Sequence, residues 1–423
     1  MDKFVITGKN KLSGTVTVSG AKNASLALMP ATILASGMYH LYNTPVLQDV
    51  LTMIELLETM GIESRLDEHI LTIDTSRISK YEAPYELVKR MRASIYVLGP
   101  LVGRFGRAKV SLPGGCAWGP RPVNLHIEGI RKLGADIEIE SGYIVAKAKS
   151  LKGARILFDI SSVGATGNVL MAAVLAKGET IIENAAQEPE IVQLAEFLVK
   201  MGAKIDGIGT GRLTIQGVDE LHPADIVTIP DRIEAGTFLV AGALAGEKNG
   251  IVRIEKCNPQ HLGAVIVKLE DAGAKINIGE NWIELTPPEE IEPVNVTTAI
   301  YPGFPTDMQA QWTALMALST GSCIVTDTIY FDRFKHVPEL VRLGANITVK
   351  ENVATVVGVK KLTGAKVMST DLRASASLIL AGLAAEGTTE VLRVYHIDRG
   401  YESIEKKLQA LGANIRREKY DEF

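Results

Sequence analysis

The pattern of apolar and polar positions along this chain repeats six times. Each repeat opens with a stretch rich in small apolar residues, as in residues 24–36 and 233–246, with few polar positions on any side. A helix that is apolar on nearly every face is normally a buried helix. A short run of β-branched and aromatic residues follows each stretch. The pattern therefore predicts six buried helices, each leading into a strand.

A second helix is predicted in every repeat, with apolar residues at i, i+3 and i+4. It ends at a glycine inside a tetrapeptide that recurs roughly every 70 residues. The six glycines are Gly61, Gly134, Gly202, Gly273, Gly344 and Gly412. This spacing is typical of an amphipathic helix, and a glycine just after the last turn predicts a left-handed C-terminal cap. A strand–turn–strand pair follows in all repeats except the sixth.

The start of the chain contains what the sixth repeat lacks. Residues 4–25 parallel residues 143–166 and 354–377, which span the end of one repeat and the start of the next. We therefore expect residues 1–20 to complete the sixth repeat. Three repeats per domain give one domain over residues 21–229 and a second over 230–423 with 1–20. The alternative is a plain solenoid, but solenoids usually carry atypical capping repeats, so the matching ends favour closure.

Composition narrows the class of protein. The 423 residues are 46% hydrophobic and 22% charged, which is typical of a globular protein. The net charge of −4 is spread along the sequence and supplies no basic face for nucleic acid. The apolar runs are too short to span a membrane, and the first residues contain no apolar leader, so a cytoplasmic protein with no membrane partner is expected.

Charged residues collect in the loops that precede the predicted helices. Helix N-termini carry unpaired N–H groups and the positive end of the helix dipole, so they suit phosphate and carboxylate ligands. Any one of these charges is equally explained as a solvated loop residue or a helix cap. The set as a whole predicts an anion site, and its members are Lys22, Arg92, Ser162, Asp231, Asp307, Arg333, Asp371, Arg373 and Arg399.

One loop, residues 114–122, is longer than its counterparts and rich in glycine and proline. It contains Cys116, which we expect to be exposed on a moving lid, with Arg121 close enough to favour the thiolate. A chance exposed thiol is the alternative. Cys257 and Cys323 lie in strand-like segments and are expected in the core. Three widely spaced cysteines predict neither a disulfide framework nor a metal site.

Three motifs that might mislead are incomplete. Residues 19–22 match S-x-x-K, but the S-D-N and K-T-G partners of that motif are absent from the sequence. The glycines of residues 207–211 lead into a strand instead of a helix, so they do not form a dinucleotide fingerprint. A P-loop motif does not occur either. Nucleotide recognition through a dinucleotide fingerprint or a P-loop is therefore excluded.

Eight segments together resemble one family. They are residues 18–24, 112–130, 162–166, 231–241, 302–311, 331–340, 371–378 and 398–402, in order along the whole chain. They are similar to UDP-N-acetylglucosamine 1-carboxyvinyltransferases, the enolpyruvyl transferases that open bacterial peptidoglycan synthesis. The resemblance implies an α/β fold of two inside-out barrel domains, each built of three βαβαββ-type repeats. It implies the small-molecule substrates phosphoenolpyruvate and UDP-N-acetylglucosamine, no cofactor or metal, and sensitivity to fosfomycin; we expect a monomer.

The resemblance also implies a role for each matching residue. Phosphoenolpyruvate would be bound by Lys22, Asn23, Arg121 and Arg399. UDP-N-acetylglucosamine would be bound by Arg92, Arg121, Pro122, Val123, Asn124, Leu125, Ser162, Val163, Gly164, Asp307 and Ile329. Asp307 would accept the proton of the sugar 3-hydroxyl, and Cys116 would protonate C3 of phosphoenolpyruvate or form a covalent adduct. A charged wall would be completed by Asp231, Arg333, Asp371 and Arg373.

The chain departs from the family pattern in two places. Asn124 stands where the family usually has Asp, and Ile160 and Ser161 stand where a Lys commonly precedes the 162–166 motif.

Two other functions are the alternatives. The shikimate-pathway enolpyruvyl transferase has a Lys-Ser pair in place of Lys22-Asn23 and lacks the Cys116 loop. A non-catalytic sugar-nucleotide-binding protein on the same fold would not need Cys116 and Asp307 together.

Overall fold

A computed structural model describes residues 1–113 and 123–420 of the chain. Two compact units are present, one over Gly20–Ile229 and one that joins Met1–Ser19 to Pro230–Phe423. We call them the middle unit and the split unit. Within the described ranges, no helix combines the length and the apolarity that a membrane span requires.

The split unit begins with two N-terminal strands, β1 (Asp2–Thr7) and β2 (Gly14–Thr17). The middle unit then follows. Its strands are β3 (Met38–Tyr42), β4 (Glu63–Asp67), β5 (Ile70–Asp74), β6 (Glu82–Ala83), β7 (Arg107–Ser111), β8 (Asp136–Glu140), β9 (Tyr143–Lys147), β10 (Arg155–Leu157), β11 (Glu179–Glu183), β12 (Lys204–Asp206), β13 (Arg212–Gln216) and β14 (Ile226–Val227). Its helices are α1 (Lys22–Ala31), α2 (Gln48–Thr59), α3 (Tyr85–Val88), α4 (Leu98–Phe105), α5 (Asn124–Lys132), α6 (Val163–Ala173) and α7 (Pro189–Lys200).

The rest of the split unit has the same alternation of elements. Its strands are β15 (Val252–Glu255), β16 (Lys275–Ile278), β17 (Trp282–Thr286), β18 (Val296–Thr297), β19 (Ser322–Thr326), β20 (Asn346–Lys350), β21 (Val353–Val357), β22 (Lys366–Met368), β23 (Thr388–Leu392) and β24 (Asn414–Lys419). Its helices are α8 (Arg232–Ala245), α9 (Gly263–Asp271), α10 (Gln309–Met316), α11 (Val337–Arg342), α12 (Leu372–Ala384) and α13 (Ile404–Ala410).

Six four-stranded sheets follow one plan, which confirms the predicted repeat architecture. Each has a short edge strand parallel to a central strand, then two antiparallel strands, as in the order β10-β11-β13-β12. In the middle unit the last strand, β14, runs parallel to the first, β3, so this unit closes on itself. The small-residue helices α8, α10 and α12 pack together inside the split unit, and α4 packs on α6 inside the middle unit. The sheets surround the helices, which is the inside-out arrangement.

The N-terminal residues complete two sheets, not one. As expected, β1 enters the sixth sheet, where it lies between β23 and β24. In addition, β2 pairs with β15, so the N-terminal residues also add a strand to the fourth sheet. The physical reason is that the short strand after each antiparallel pair bonds to the central strand of the next repeat. In the split unit the next repeat around the ring is the fourth.

The predicted glycine caps are confirmed. All six glycines adopt positive φ, between +90° at Gly61 and +104° at Gly202. An L-residue with a side chain is strained in this region of backbone space, whereas glycine is not. Each cap lets the chain reverse from an amphipathic helix into the following strand, as at Gly134 between α5 and β8.

Candidate active site

Asp307 is held between two arginines at one end of the split unit. It lies in a 3₁₀ turn, Thr306–Met308, that leads into α10. Its Oδ1 accepts a hydrogen bond from Nη2 of Arg333 at 2.7 Å, and its Oδ2 accepts one from Nη2 of Arg373 at 2.6 Å. The side chain of Asp307 is 24% exposed, against 7% for Arg333 and 5% for Arg373. Two guanidinium groups therefore hold both oxygens of a partly exposed carboxylate.

Arg373 is anchored by residues that the sequence analysis did not select. Its Nη1 donates to the hydroxyl of Tyr401 at 3.1 Å, and Tyr401 also accepts from Gln311 at 3.2 Å. The Thr237 hydroxyl gives its hydrogen to the carbonyl of Ile233, so Tyr401 donates to Thr237 at 2.8 Å. A signal for these residues existed, because Thr237 and Gln311 are polar positions inside otherwise apolar helices.

Burial and charge act against each other at Arg373. Burial alone would lower the pKa of Arg373, but the carboxylate of Asp307 outweighs it, and the pKa of Arg373 is raised. The hydroxyl of Tyr401 also has a raised pKa because it is buried. The guanidinium therefore stays charged, and Tyr401 stays protonated at neutral pH.

Asp371 and Asp231 cap the helices that lead away from this cluster. Oδ1 of Asp371 accepts from the backbone N–H groups of Arg373 and Ala374 at the start of α12. Burial raises the pKa of Asp371, and those N–H groups and the charge of Arg333 oppose the rise. Asp231 caps α8 in the same way, and its charge acts on Arg373. Both carboxylates hold helix starts and add negative charge behind the arginines.

Two more predicted residues lie in the split unit. Ile329 is half-buried, and its N–H donates to Asp327 at 3.0 Å. Arg399 is the last residue of a 3₁₀ turn, Val394–Arg399, two residues before Tyr401. Its side chain is half-buried. Arg399 therefore lies close in sequence to Tyr401, one anchor of the Arg373 cluster.

In the middle unit, Lys22 begins α1 and pairs with a buried carboxylate. Its Nζ lies 3.5 Å from Oδ2 of Asp49, which is in the first turn of α2. The side chain of Lys22 is only 13% exposed, and Asn23, next to it, is half-buried. Asp49 was not selected from the sequence. It holds the ammonium group in place at a distance that allows an anion to compete for it.

The other nucleotide candidates of the middle unit gather around the start of α6. Ser162 caps this helix by accepting from the N–H of Ala165 at 3.3 Å. The N–H groups of Val163 and Gly164 lie in the first turn, so they have no acceptor within the helix. The ring of His126 lies against Gly164, where an added Cβ would come within 3.0 Å of it. This leaves a narrow, N–H-lined surface that suits a phosphate.

His126 is neutral and Arg92 is its charged neighbour. Burial, together with the charge of Arg92, lowers the pKa of His126 to about 3. Arg92 opens the 3₁₀ turn Arg92–Val97 and is half-buried. Among the described residues, Arg92 adds a permanent positive charge to the neutral donors of this surface.

The remaining predicted positions divide between the described and the undescribed residues. Val123 precedes α5, Asn124 is exposed at its first position and Leu125 is half-buried. Cys116, Arg121 and Pro122 lie outside the described residues, so their predicted roles stay predictions. Cys257 and Cys323 are buried, and burial raises the pKa of both thiols to about 11. These two cysteines are poor nucleophiles.

The described clusters suit anionic ligands and proton transfer. Arg333, Arg373, Lys22 and Arg399 supply cations on loops and helix starts, and Asp307 supplies an accessible carboxylate. Among residues 1–113 and 123–420, His, Cys, Asp and Glu do not gather in a group able to hold a metal ion. The protein groups present can bind phosphate or carboxylate and accept a proton.

Comparison with known proteins gives a consistent result. The profile of the family described as EPSP synthase (3-phosphoshikimate 1-carboxyvinyltransferase) matches residues 6–408. A UDP-N-acetylglucosamine 1-carboxyvinyltransferase from Chloroherpeton thalassium is 62% identical over 426 residues, covering 100% of this chain and 99% of that protein. The protein of the same name from Geotalea daltonii is 56% identical, with 99% of each chain covered.

Solved structures with the same fold are also known. The enolpyruvyl transferase NikO from Streptomyces tendae matches with a TM-score of 0.89 at 27% identity, covering 98% of each chain. The EPSP synthase from Acinetobacter baumannii matches with a TM-score of 0.76 at 19% identity, covering 99% of this chain and 100% of that one. At that identity the second match speaks for the fold alone.

Proposed function

Because the chain belongs to the UDP-N-acetylglucosamine 1-carboxyvinyltransferase family, we propose that it transfers the enolpyruvyl group of phosphoenolpyruvate to the 3-hydroxyl of UDP-N-acetylglucosamine. The hydroxyl oxygen bonds to C2 of phosphoenolpyruvate and gives up its proton, while C3 gains one. The bond from C2 to the phosphate oxygen then breaks, and C3 loses a proton. The products are an enol ether and inorganic phosphate. The 62% identity over the whole chain supports this assignment.

The observation that carries the proposal is the placement of Asp307. An ionised carboxylate has about four lone-pair sites, and each oxygen of Asp307 uses one on a guanidinium. The side chain of Asp307 is 24% exposed, so the carboxylate can meet the 3-hydroxyl. Arg333 and Arg373 fix the direction of the carboxylate, so little reorganisation is needed when the proton arrives.

Cations on loops and helix starts bind the donor substrate. Lys22, with Asn23, acts as a point charge for the phosphate, and Arg399 offers a planar fork to phosphate or carboxylate. Arg121 joins them, and Cys116 supplies the proton to C3 or forms the covalent adduct. Asp231, Asp371 and the two arginines at Asp307 form the charged wall.

Backbone donors and charged side chains bind the sugar nucleotide. The N–H groups at the start of α6 take the diphosphate, with Ser162 holding the helix start. Arg92 adds a positive charge beside them. The stretch 121–125 meets the uracil and the diphosphate, and Ile329 meets the sugar through its carbonyl. A Lys is missing at Ile160, which is 71% exposed, so Arg92 and backbone donors hold the diphosphate instead.

The setting follows from this activity. We propose that the protein works as a monomer in the cytoplasm, and that its product is used for bacterial peptidoglycan. Loss of the activity would then disturb cell shape and division. Alkylation of Cys116 would make the enzyme a fosfomycin target.

Phosphate release tests the assignment directly. The enzyme should release phosphate from phosphoenolpyruvate only when UDP-N-acetylglucosamine is also present, because the charged residues act on both substrates together. The matched control replaces the sugar nucleotide with shikimate 3-phosphate. Equal release with shikimate 3-phosphate would reject this function in favour of the shikimate-pathway enzyme.

A further inference from the structure

Asp327 is a fully buried carboxylate that the sequence analysis did not select. It follows β19 and accepts four hydrogen bonds. Its Oδ1 accepts from the hydroxyl of Thr298 at 2.8 Å and from the N–H groups of Ile329 and Tyr330. Its Oδ2 accepts from the hydroxyl of Thr306 at 2.7 Å. A buried charge is tolerated only when it is hydrogen-bonded in this way.

The bond from Thr306 has a fixed direction. A threonine hydroxyl has one hydrogen, and an ionised carboxylate only accepts, so Thr306 gives its hydrogen to Asp327. The lone pairs of Thr306 then remain for Arg333, whose Nη1 donates to Oγ1 at 2.8 Å. Asp327 therefore determines that the hydroxyl of Thr306 acts as an acceptor towards Arg333.

This direction is passed on to the proposed base. The guanidinium of Arg333 is planar and rigid, so fixing Nη1 on Thr306 also fixes Nη2. Nη2 is the atom that donates to Oδ1 of Asp307 at 2.7 Å. The other oxygen of Asp307 is held separately by Arg373. The two arginines that hold Asp307 are therefore supported by different residues. Arg333 is supported by Asp327 through Thr306.

We propose that Asp327 and Thr306 are positioning residues for the transfer reaction, which orient Arg333 so that it aims Asp307 at the substrate hydroxyl. The inference rests on the proposed function. Both residues act through Arg333. The rate of the transfer step should depend on them more than substrate binding does, because the aim of a base matters most in the transition state.

Thr306→Val tests the link, because valine keeps the shape and removes the hydroxyl. Hydrogen bonds to charged groups contribute enough that kcat should fall by roughly 10- to 100-fold. The KM for UDP-N-acetylglucosamine should change by less than about threefold. Thr306→Ser restores the hydroxyl and should bring kcat back to within about threefold of the wild type.

Thr298→Val is the matched control. Thr298 is a buried threonine that bonds to the same carboxylate, but to Oδ1, and it has no contact with Arg333 among its described bonds. This variant should lose as much thermal stability as Thr306→Val and keep kcat within about threefold of the wild type. Equal loss of kcat in the two variants would show that the effect is general damage and would overturn the inference.

Asp327→Asn tests the first member of the chain. The amide would present a donor to Thr306, whose hydrogen would then point towards Arg333 instead of away from it. We expect a loss of kcat similar to that of Thr306→Val, and no further loss when the two changes are combined. An additive loss would overturn the proposed chain.

A crystal structure of Thr306→Val provides a readout that does not need activity. Arg333 should have moved away from Oδ1 of Asp307, whereas its retention at the same place would overturn the inference. Wild-type activity separates the two proposals. A wild type that needs no UDP-N-acetylglucosamine rejects the proposed function, while an active wild type with an unchanged Thr306→Val variant rejects the positioning role alone.

Discussion

At the scale of single residues, Asp307 meets two requirements that oppose each other. Two guanidinium groups hold its oxygens in place, and their charge makes the carboxylate a weaker acceptor of a proton. A looser residue would be a better base in water but would be poorly aimed. In this cluster the geometry is favoured over intrinsic basicity. Under the proposed function, Asp307 takes the proton of the 3-hydroxyl as the hydroxyl oxygen bonds to C2.

Asp307→Asn should separate aim from proton transfer. The amide can keep a contact with one arginine but cannot accept the proton, so turnover should fall by roughly 10²- to 10⁴-fold. Isothermal titration with UDP-N-acetylglucosamine should show binding within about tenfold of the wild type. Near-wild-type turnover would move the base elsewhere, with Asp231 or Asp371 as the next residues to change.

Thiol reactivity should single out Cys116. Cys257 and Cys323 are buried with pKa values raised to about 11, so both are protonated and shielded at neutral pH. Fosfomycin with UDP-N-acetylglucosamine present should modify Cys116 alone, as read by peptide mass spectrometry. Cys116→Asp should retain some turnover, because a carboxylic acid can also donate a proton, and should not be labelled. A label on Cys257 or Cys323 in the native enzyme would contradict this assignment.

Two buried histidines should make the free energy of unfolding depend on pH. Burial lowers the pKa of His126 and of His336 to about 3, from 6.5 in the unfolded chain. Above pH 6.5 both rings are neutral in the folded and in the unfolded chain, so the full free energy of unfolding is present. As the pH falls towards 3 the unfolded chain takes up protons first, and the free energy of unfolding decreases. Each histidine should lower the free energy of unfolding by about 1.4 kcal/mol for every pH unit in this range. Glu234 acts in the opposite direction, because burial raises its pKa to about 6, and it offsets one histidine between pH 6 and 4.5.

Denaturant unfolding between pH 7 and 4 measures this dependence. His336→Phe should reduce the slope of the free energy of unfolding against pH, for the split unit, by the equivalent of about one proton. This is expected because neither ring nitrogen of His336 is hydrogen-bonded within the described part of the chain. His40→Phe is the matched control, because His40 is exposed in the middle unit. An unchanged slope in His336→Phe would mean that His336 is not the titrating group.

At the scale of elements, the helix caps show what the sequence can predict. Each glycine at the end of an amphipathic helix could be located from apolar spacing alone, because backbone geometry and burial both act locally. The short parallel strands could not be assigned to a sheet in this way. Strands such as β2 and β14 are brief, and their partners lie in other repeats, so nothing in their own residues specifies the pairing.

The residues of the Asp307 cluster also differ in whether the sequence could predict them. Charged residues in loops are visible in the sequence, so Asp307, Arg333 and Arg373 could be selected. Their supports, Thr237, Gln311 and Asp327, are buried polar residues whose partners come from distant segments. Thr237 and Gln311 stand out in the sequence only as polar positions within helices, and their bonding partners depend on a three-dimensional network that the sequence does not reveal.

Gly134→Ala should isolate the cost of a left-handed cap. At φ +96° an alanine is strained, but no atom lies within 4 Å of the added Cβ, so steric overlap does not contribute. We expect a loss of about 1–2 kcal/mol in the free energy of unfolding of the middle unit. Turnover below the melting temperature should not change.

Gly263→Ala is the matched control for this prediction. Its Cβ would also meet open space, but its φ is −47°, in the helical region at the start of α9. Alanine should therefore be neutral or slightly stabilising there. Equal destabilisation at the two positions would show that backbone conformation is not the cause.

At the scale of the whole molecule, the two units differ in how they are completed. The middle unit is built from one continuous stretch, and its ring is closed by β14 on β3. The split unit needs both ends of the described chain, because β1 is an inner strand of the sixth sheet. Phe4 and Ile6 of β1 are fully buried in its core.

Deletion of residues 1–7 should therefore unfold one unit and spare the other. The split unit should lose its cooperative transition, since its sixth sheet would have a gap and its core would be open. Limited proteolysis with mass spectrometry should leave a resistant fragment close to Gly20–Ile229. Lys3→Ala, which removes an ion pair with Glu390 but keeps the strand, is the control and should behave as the wild type. Equal resistance of both units after the deletion would contradict this prediction.

The position of β1 also affects the order of events on the ribosome. Lys3 and its partner Glu390 are 387 residues apart. At synthesis rates of roughly 5–20 residues per second, β1 waits on the order of 20–80 seconds for β23 and β24 to emerge. The middle unit has all of its strands long before that and can fold while translation continues. During the wait the apolar side chains of β1 are exposed to mispairing, so this N-terminal strand is where we expect chaperones to engage the nascent chain.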